Sequence, residues 1–176
     1  MTTGSPDLAS EFIARARDYL GVEYRSKLRL AVEAMPADAL WWRPNDQSNS
    51  VGNLLMHLAG NIRQWIVGGV DGAPNTRDRA GEFAARTGAP AAELLANLDR
   101  VLDEVDAVLA RLTADTLLQD RYIQGRDVKV VDAVVHVLEH FSYHLGQIVL
   151  ISKMHAPGGV QFYEDAGGLA RPLWNQ

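Results

Sequence analysis

The sequence predicts an all-α four-helix bundle. Four stretches of bundle length carry apolar residues at spacings of three and four, the stripe of a helix that buries one face. No convincing strand run competes with them. The last of the four, residues 130–153, is apolar enough to be largely buried, yet it holds three of the five histidines of the chain.

The first helix starts at Ser5-Pro6-Asp7. Serine caps, proline suits the first helical position, and aspartate favours the positive end of the helix dipole. Phe12, Ala16, Leu20, Tyr24, Leu28 and Ala31 form its stripe, which Gly21 weakens without ending. Pro36 closes it near Met35. Residues 36–49 are polar and turn-rich, with a short helical turn expected over residues 38–41. Trp41 and Trp42 are expected to plug the end of the bundle, since aromatics bury large area at little entropy cost.

Ser50 caps the second helix. Leu54, Leu58, Ile62 and Trp65 make one stripe, and His57 and Asn61 a neighbouring one. Gly52 and Gly60 permit close approach of another helix. Residues 67–89 read as a long loop rich in glycine and charge, and loops of that length are usually functional or disordered. Either it is a solvated, self-neutralising charge run, or Arg77, Arg79 or Glu82 folds over the mouth of a site.

Pro90 opens the third helix, whose stripe is Leu95, Leu98, Leu102, Val105, Leu109 and Leu112. The Asp, Glu and Arg residues between them are expected to form a solvated face. Residues 113–129 hold room for a brief extended piece with a turn at Gly125. The last helix begins between Asp127 and Val130 and stops at Met154-His155-Ala156-Pro157-Gly158-Gly159. The remaining tail reads as an irregular segment docked through Phe162, Tyr163, Leu173 and Trp174.

At 176 residues the chain is expected to form a single domain over residues 1–176, long enough to bury a core. A formal charge of -5 argues against a general nucleic-acid binder. The absence of cysteine excludes disulfides, a cysteine nucleophile and a thiolate metal site. Residues 1–7 show no basic region followed by an apolar run, so no signal peptide is expected. No stretch approaches about 18 uninterrupted apolar residues, so no membrane span is expected either. The expectation is a soluble cytoplasmic protein.

His136, His140 and His144 recur at intervals of four. On a helix, residues four apart lie about 40° apart around the axis and about 6 Å along it, so the three imidazoles share one face. Two of them one turn apart can grip one ion, with His57 facing them as a third ligand. Three neutral imidazoles with an open fourth position are the catalytic rather than the structural pattern. Bundle cores are natural homes for such sites. His136 and His144 are about 12 Å apart along the axis, so all three cannot ligate one ion with good geometry. Helix phase leaves His136/His140 and His140/His144 equally open.

The stretch His140-Phe-Ser-Tyr-His144-Leu-Gly-Gln147-Ile resembles the last-helix signature of the DinB/YfiT-like family, where His-x-x-x-His-x-Gly-Gln closes a metal site. Leu54-Leu-Met-His57-Leu-Ala-Gly-Asn61 resembles the second-helix histidine motif of that family. The run Asp71…Arg77-Asp-Arg79…Glu82-Phe83 resembles an uncharacterised branch of it. The likeness covers helices two to four, and less clearly the first helix and the tail. It implies an up-down four-helix bundle, often a homodimer, that binds zinc or nickel through His57, His140 and His144. His136 then becomes an outer or substrate-facing residue.

Phe141 stands where a zincin motif needs glutamate, so a peptidase is disfavoured. A tri-histidine ion with an open position can acidify water, or take an external thiol as thiolate. Characterised members of the resembled family include transferases and isomerases that use low-molecular-weight thiols such as mycothiol and bacillithiol. With no cysteine in the chain, such a thiol must be a cosubstrate. The leading expectation is therefore metal-dependent transfer of a low-molecular-weight thiol to a small-molecule electrophile. Asn61, Trp65, Arg77, Arg79, His136, Tyr143 and Gln147 are the candidate substrate-binding residues. The alternatives are hydrolysis of a small ester or amide, for which no carboxylate is placed by spacing, and a non-catalytic metal-binding stress-response bundle. Glu139 points about 100° away from His140, and Glu82 serves as a base only if its loop closes.

Overall fold

The computed structural model describes residues 7–174. Helix α1 runs through Leu8–Asp18, a π-helical turn at Tyr19–Tyr24, and Arg25–Glu33. Asp7 caps it, accepting from the Ser10 backbone N–H at 2.7 Å. The expected Ser5-Pro6 start lies outside the described residues. Ala16, Leu20, Leu28 and Ala31 are buried, and Phe12 and Tyr24 pack against the core beside them. A 3₁₀ turn follows at Ala37–Ala39.

The two tryptophans close one end of the bundle. Trp41 lies flat on Gly52, where a Cβ would stand 2.9 Å from the indole carbons, so only glycine admits it. Trp42 meets His155 edge-on, with ring centroids 4.6 Å apart. The glycine that was expected to admit a helix thus admits an indole.

Helix α2 is Val51–Ile62, continued by a π-helical segment Arg63–Val70. Ser50 and Asn53 close its start as a reciprocal capping box. All of Val51–Ile62 is buried except Met56 and Gly60, which makes α2 the central helix. Its continuation to Val70 shortens the loop expected from residue 67. That loop also holds a helix of its own, α3 at Arg79–Ala84, capped by Asp78 through the Gly81 N–H.

Helix α4 is Ala91–Leu109, opened by Pro90. Its polar face is not simply solvated. Arg17 chelates Asp106 at 2.6 and 2.9 Å, Arg25 reaches Asp99 and Asp103 at 2.7 Å each, and Arg29 also bonds Asp99. These pairs rivet α1 to α4. Being part-exposed, each is worth about 0.2–1 kcal/mol.

A short helix α5, Ala114–Leu117, leads to an antiparallel hairpin of β1 (Asp120–Ile123) and β2 (Arg126–Lys129). Gln124 and Gly125 both take positive φ, 52° and 79°, as a two-residue hairpin turn requires. Helix α6 spans Val130–His155. The tail is more ordered than expected. It forms a second hairpin, β3 (Tyr163–Asp165) with β4 (Ala170–Pro172), and Phe162, Tyr163 and Trp174 surround the Lys27 ammonium, 3.9 Å from the Trp174 ring centre.

Helix α2 packs on α4, α6 and α3, while α1 packs on α6 and α4. The result is an all-α up-down four-helix bundle with two small hairpins at its edges. Among the described residues no helix is long and apolar enough to cross a membrane.

Candidate metal centre

The bundle brings three histidines together in its interior. His57 comes from α2, and His140 and His144 from successive turns of α6. One ring nitrogen from each lies within 4.8 Å of the others. His57 Nε2 and His140 Nε2 are 3.1 Å apart. The His57 ring meets His144 edge-on at 5.1 Å, and His140 meets His144 in the same way at 4.5 Å. On α6 it is therefore His140 and His144 whose ring nitrogens converge with that of His57. His136 does not join this cluster; its ring stacks on Trp65, with centroids 3.9 Å apart.

Burial favours the neutral form of the α6 imidazoles His136, His140 and His144. It lowers His140 to about 3, with the neighbouring His144, His57 and His136 and the Arg77 charge adding to the effect. His144 is lowered chiefly by burial, against the opposing hydrogen bond to Gln147. His136 is lowered for the same reason, with Glu139 opposing. A neutral imidazole keeps a lone pair, which is what an ion requires of it.

Two further side chains orient the rings. The Gln147 amide oxygen is 2.8 Å from His144 Nδ1, so Nδ1 carries the proton and Nε2 keeps its lone pair. On the other side, His57 Nδ1 lies 3.0 Å from Glu82 Oε2. Glu82 is itself gripped by Arg77, from Nε to Oε1 at 2.6 Å and from Nη2 to Oε2 at 2.7 Å. Both side chains are almost wholly buried, 7% exposed for Glu82 and 4% for Arg77. Burial alone would raise the Glu82 carboxyl, but the hydrogen bonds from Arg77 and His57 outweigh it and hold it below the usual range.

Local structure explains how Glu82 arrives there. Asn53, buried at the start of α2, donates to the carbonyls of Glu82 at 2.7 Å and Ala85 at 3.0 Å. Arg43 bonds the same Ala85 carbonyl at 2.6 Å and the Asn53 side-chain oxygen at 2.6 Å. The segment carrying α3 is clamped onto α2 rather than free to open and close.

The remaining candidates are spread around the centre. Asn61 and Trp65 follow His57 by one and two turns on α2 and are buried. Asn61 Oδ1, Trp65 Nε1, His136 Nε2 and His140 Nδ1 are buried atoms with no hydrogen-bond partner among the described residues. Tyr143 is exposed and meets His144 edge-on at 5.1 Å. Arg77, in the segment between α2 and α3, is bound to Glu82 and to Gln64 Oε1 at 2.9 Å. Arg79 is exposed, its guanidinium 5.0 Å from the Phe83 ring centre. Asn53 and Arg43 were not singled out from sequence. A buried asparagine three residues past a cap reads only as a capping partner, and nothing local reveals the distant carbonyls it serves.

The chain is similar to known proteins in two ways. A family model described as "Protein of unknown function (DUF1572)" matches residues 7–161. A crystal structure of a DinB-like protein of Bacillus subtilis, YjoA, superposes with a TM-score of 0.64 at 18% identity, covering 86% of this chain and 98% of that one. No curated protein matches. The structural likeness carries the fold, and the family match spans most of the chain. The chain belongs to the DUF1572 family and shares the helical-bundle fold of the DinB-like protein YjoA.

Proposed function

We propose that the protein is a metalloenzyme that transfers a low-molecular-weight thiol to a small electrophile, with His57, His140 and His144 holding a divalent ion, zinc or nickel. The observation that carries this reading is the convergence of three ring nitrogens within 4.8 Å inside the bundle. The donor set fits such an ion. Burial favours the neutral form of His140 and His144, Gln147 leaves the His144 Nε2 lone pair free, and the His57 and His140 Nε2 atoms face each other. The chain has no cysteine, and among the described residues no carboxylate joins the three imidazoles, which is compatible with a position left open for substrate.

An ion bound there supplies the acidity that makes a thiol into its thiolate at neutral pH. The chain itself does the rest. His57 and His144 are themselves buried, which limits the access of bulk water to their rings. Asn61, Trp65 and His136 offer unsatisfied polar atoms beside them for the cosubstrate or electrophile. In the transfer, the sulfur–carbon bond forms as the carbon–chlorine or epoxide carbon–oxygen bond breaks. Chloride departs with its electron pair, whereas the epoxide oxygen keeps the pair, stays on the product as an alkoxide and takes a proton from solvent; the thiol proton passes to solvent. Residues 1–176 act as one domain in this reading, as a homodimer.

Ester or amide hydrolysis is the weaker reading. It needs a free carboxylate base, and both oxygens of Glu82 are engaged by Arg77. The test is conjugation of a thiol to a chlorinated or epoxide electrophile by protein with and without its metal. Metal-dependent product supports the proposal. Equal rates in both samples contradict it, and turnover of an ester without added thiol favours the hydrolase.

A further inference from the structure

Glu82 and Arg77 form a buried ion pair that touches the candidate centre at one atom, His57 Nδ1. Three features show that it is built in. Gly60, one turn after His57, leaves room for it: a Cβ there would overlap Glu82 Oε1 and stand 2.9 Å from Arg77 Nε. Asn53 and Arg43 fix the backbone of α3 behind it. Gln64, one turn beyond Gly60, accepts from Arg77 Nη1 at 2.9 Å and from Gln124, at the hairpin turn, at 2.5 Å.

His57 Nδ1 lies 3.0 Å from both Glu82 Oε2 and Arg77 Nη2. It therefore either donates to the carboxylate or accepts from the guanidinium. Two considerations choose between them. A carboxylate is the stronger partner for a ring N–H, because the bond is charge-assisted. The second lies across the ring. His57 Nε2 and His140 Nε2, 3.1 Å apart, share one proton between them. His140 Nδ1 is buried and meets no acceptor among the described residues, so His140 keeps its proton on Nε2 and donates it to a bare His57 Nε2. Both lines put the His57 proton on Nδ1.

We propose that Glu82 is a positioning residue for His57: its carboxylate accepts a hydrogen bond from Nδ1–H, so that the Nε2 lone pair faces His140 and His144. Arg77 neutralises the carboxylate and occupies both its oxygens, which keeps Glu82 from acting as a ligand or a base. The inference rests on the metal reading above only for its consequence; the tautomer stands on its own. Outer-shell partners of this kind change metal affinity by about ten- to a hundred-fold when removed.

The experiment uses the full chain, labelled with ¹⁵N and free of metal. Long-range proton–nitrogen spectra of the imidazoles report which nitrogen of His57 is protonated, and competition against a chelator reports Zn²⁺ affinity. Replacing both charges, Arg77→Met with Glu82→Met, keeps the packing and removes the acceptor. The variant Arg77→Met with Glu82→Gln restores an acceptor oxygen without the charge. The wild type is expected to show Nδ1–H on His57. The Met/Met variant, left with the His140 contact alone, is expected to populate Nε2–H alongside Nδ1–H and to lose about ten- to a hundred-fold in Zn²⁺ affinity, and the Met/Gln variant to recover the Nδ1–H form and part of the affinity.

A wild-type His57 protonated on Nε2 overturns the inference without any variant. So does a folded Met/Met variant with wild-type tautomer, or a Met/Gln variant no better than Met/Met. An affinity loss with an unchanged tautomer also overturns it, since the effect is then one of packing. Wild type that binds no Zn²⁺ contradicts the proposed function instead, while the tautomer still decides the role of Glu82.

Discussion

Gly60 lies directly beneath the Glu82 carboxylate, on the helix turn that follows His57, and a side chain there would occupy the space that the carboxylate fills. In a helix, glycine normally costs about 1 kcal/mol relative to alanine. Here the balance reverses. Gly60→Ala is expected to destabilise the fold by about 1–3 kcal/mol through overpacking, despite its better propensity. Chemical denaturation measures it. A stabilised variant would mean that the Arg77–Glu82 pair yields freely.

The same pair predicts strong non-additivity. Arg77→Met leaves a buried, unpaired carboxylate and is expected to cost about 3–5 kcal/mol, whereas replacing both partners by methionine costs far less. A double-mutant cycle on unfolding free energy checks this. Additive losses would show that the two charges do not depend on each other.

Acid should weaken the metal-free protein. The folded state keeps His140 neutral down to about 3, against 6.5 for an ordinary histidine. The unfolded chain therefore takes up a proton that the folded one refuses. This contribution is complete above the ordinary value and drains away as pH falls from 6.5 toward about 3. His136 and His144, also lowered, act in the same direction. Thermal melts between pH 7 and pH 5 should show a falling midpoint, with a shallower fall in His140→Gln. An unchanged slope in that variant would contradict the burial argument.

Much of this architecture was legible in the sequence because its signals are local. Leu54, Leu58, Ile62 and Trp65 announce α2 by spacing alone, and the stripe of α4 is as plain. His140 and His144 lie one turn apart, so their shared face follows from the rise of a helix. What remained hidden depends on distant partners. The choice between His136 and His144 required knowing which turn of α6 faces His57. The loop expected from residue 67 contains the end of α2 and all of α3, because Gly68 and Gly69 read as turn residues yet sit in π-helical backbone. The charges of α4 read as a solvated face, since nothing in that stretch points to Arg17, Arg25 and Arg29 some seventy to ninety residues earlier. The tail hairpin escaped notice because its strands are three residues each, too short for alternation to register.

In the proposed centre His57, His140 and His144 hold one divalent ion and His136 does not. Metal content of protein purified without a histidine tag tests it most directly, in the wild type and in His57→Ala, His136→Ala and His144→Ala. About one equivalent is expected in the wild type, from the three-nitrogen cluster in the bundle. That metal is retained in the His136 variant and lost in the other two. Loss in His136→Ala with retention in His144→Ala would contradict the assignment, and no metal in the wild type even after reconstitution would contradict the metal centre itself.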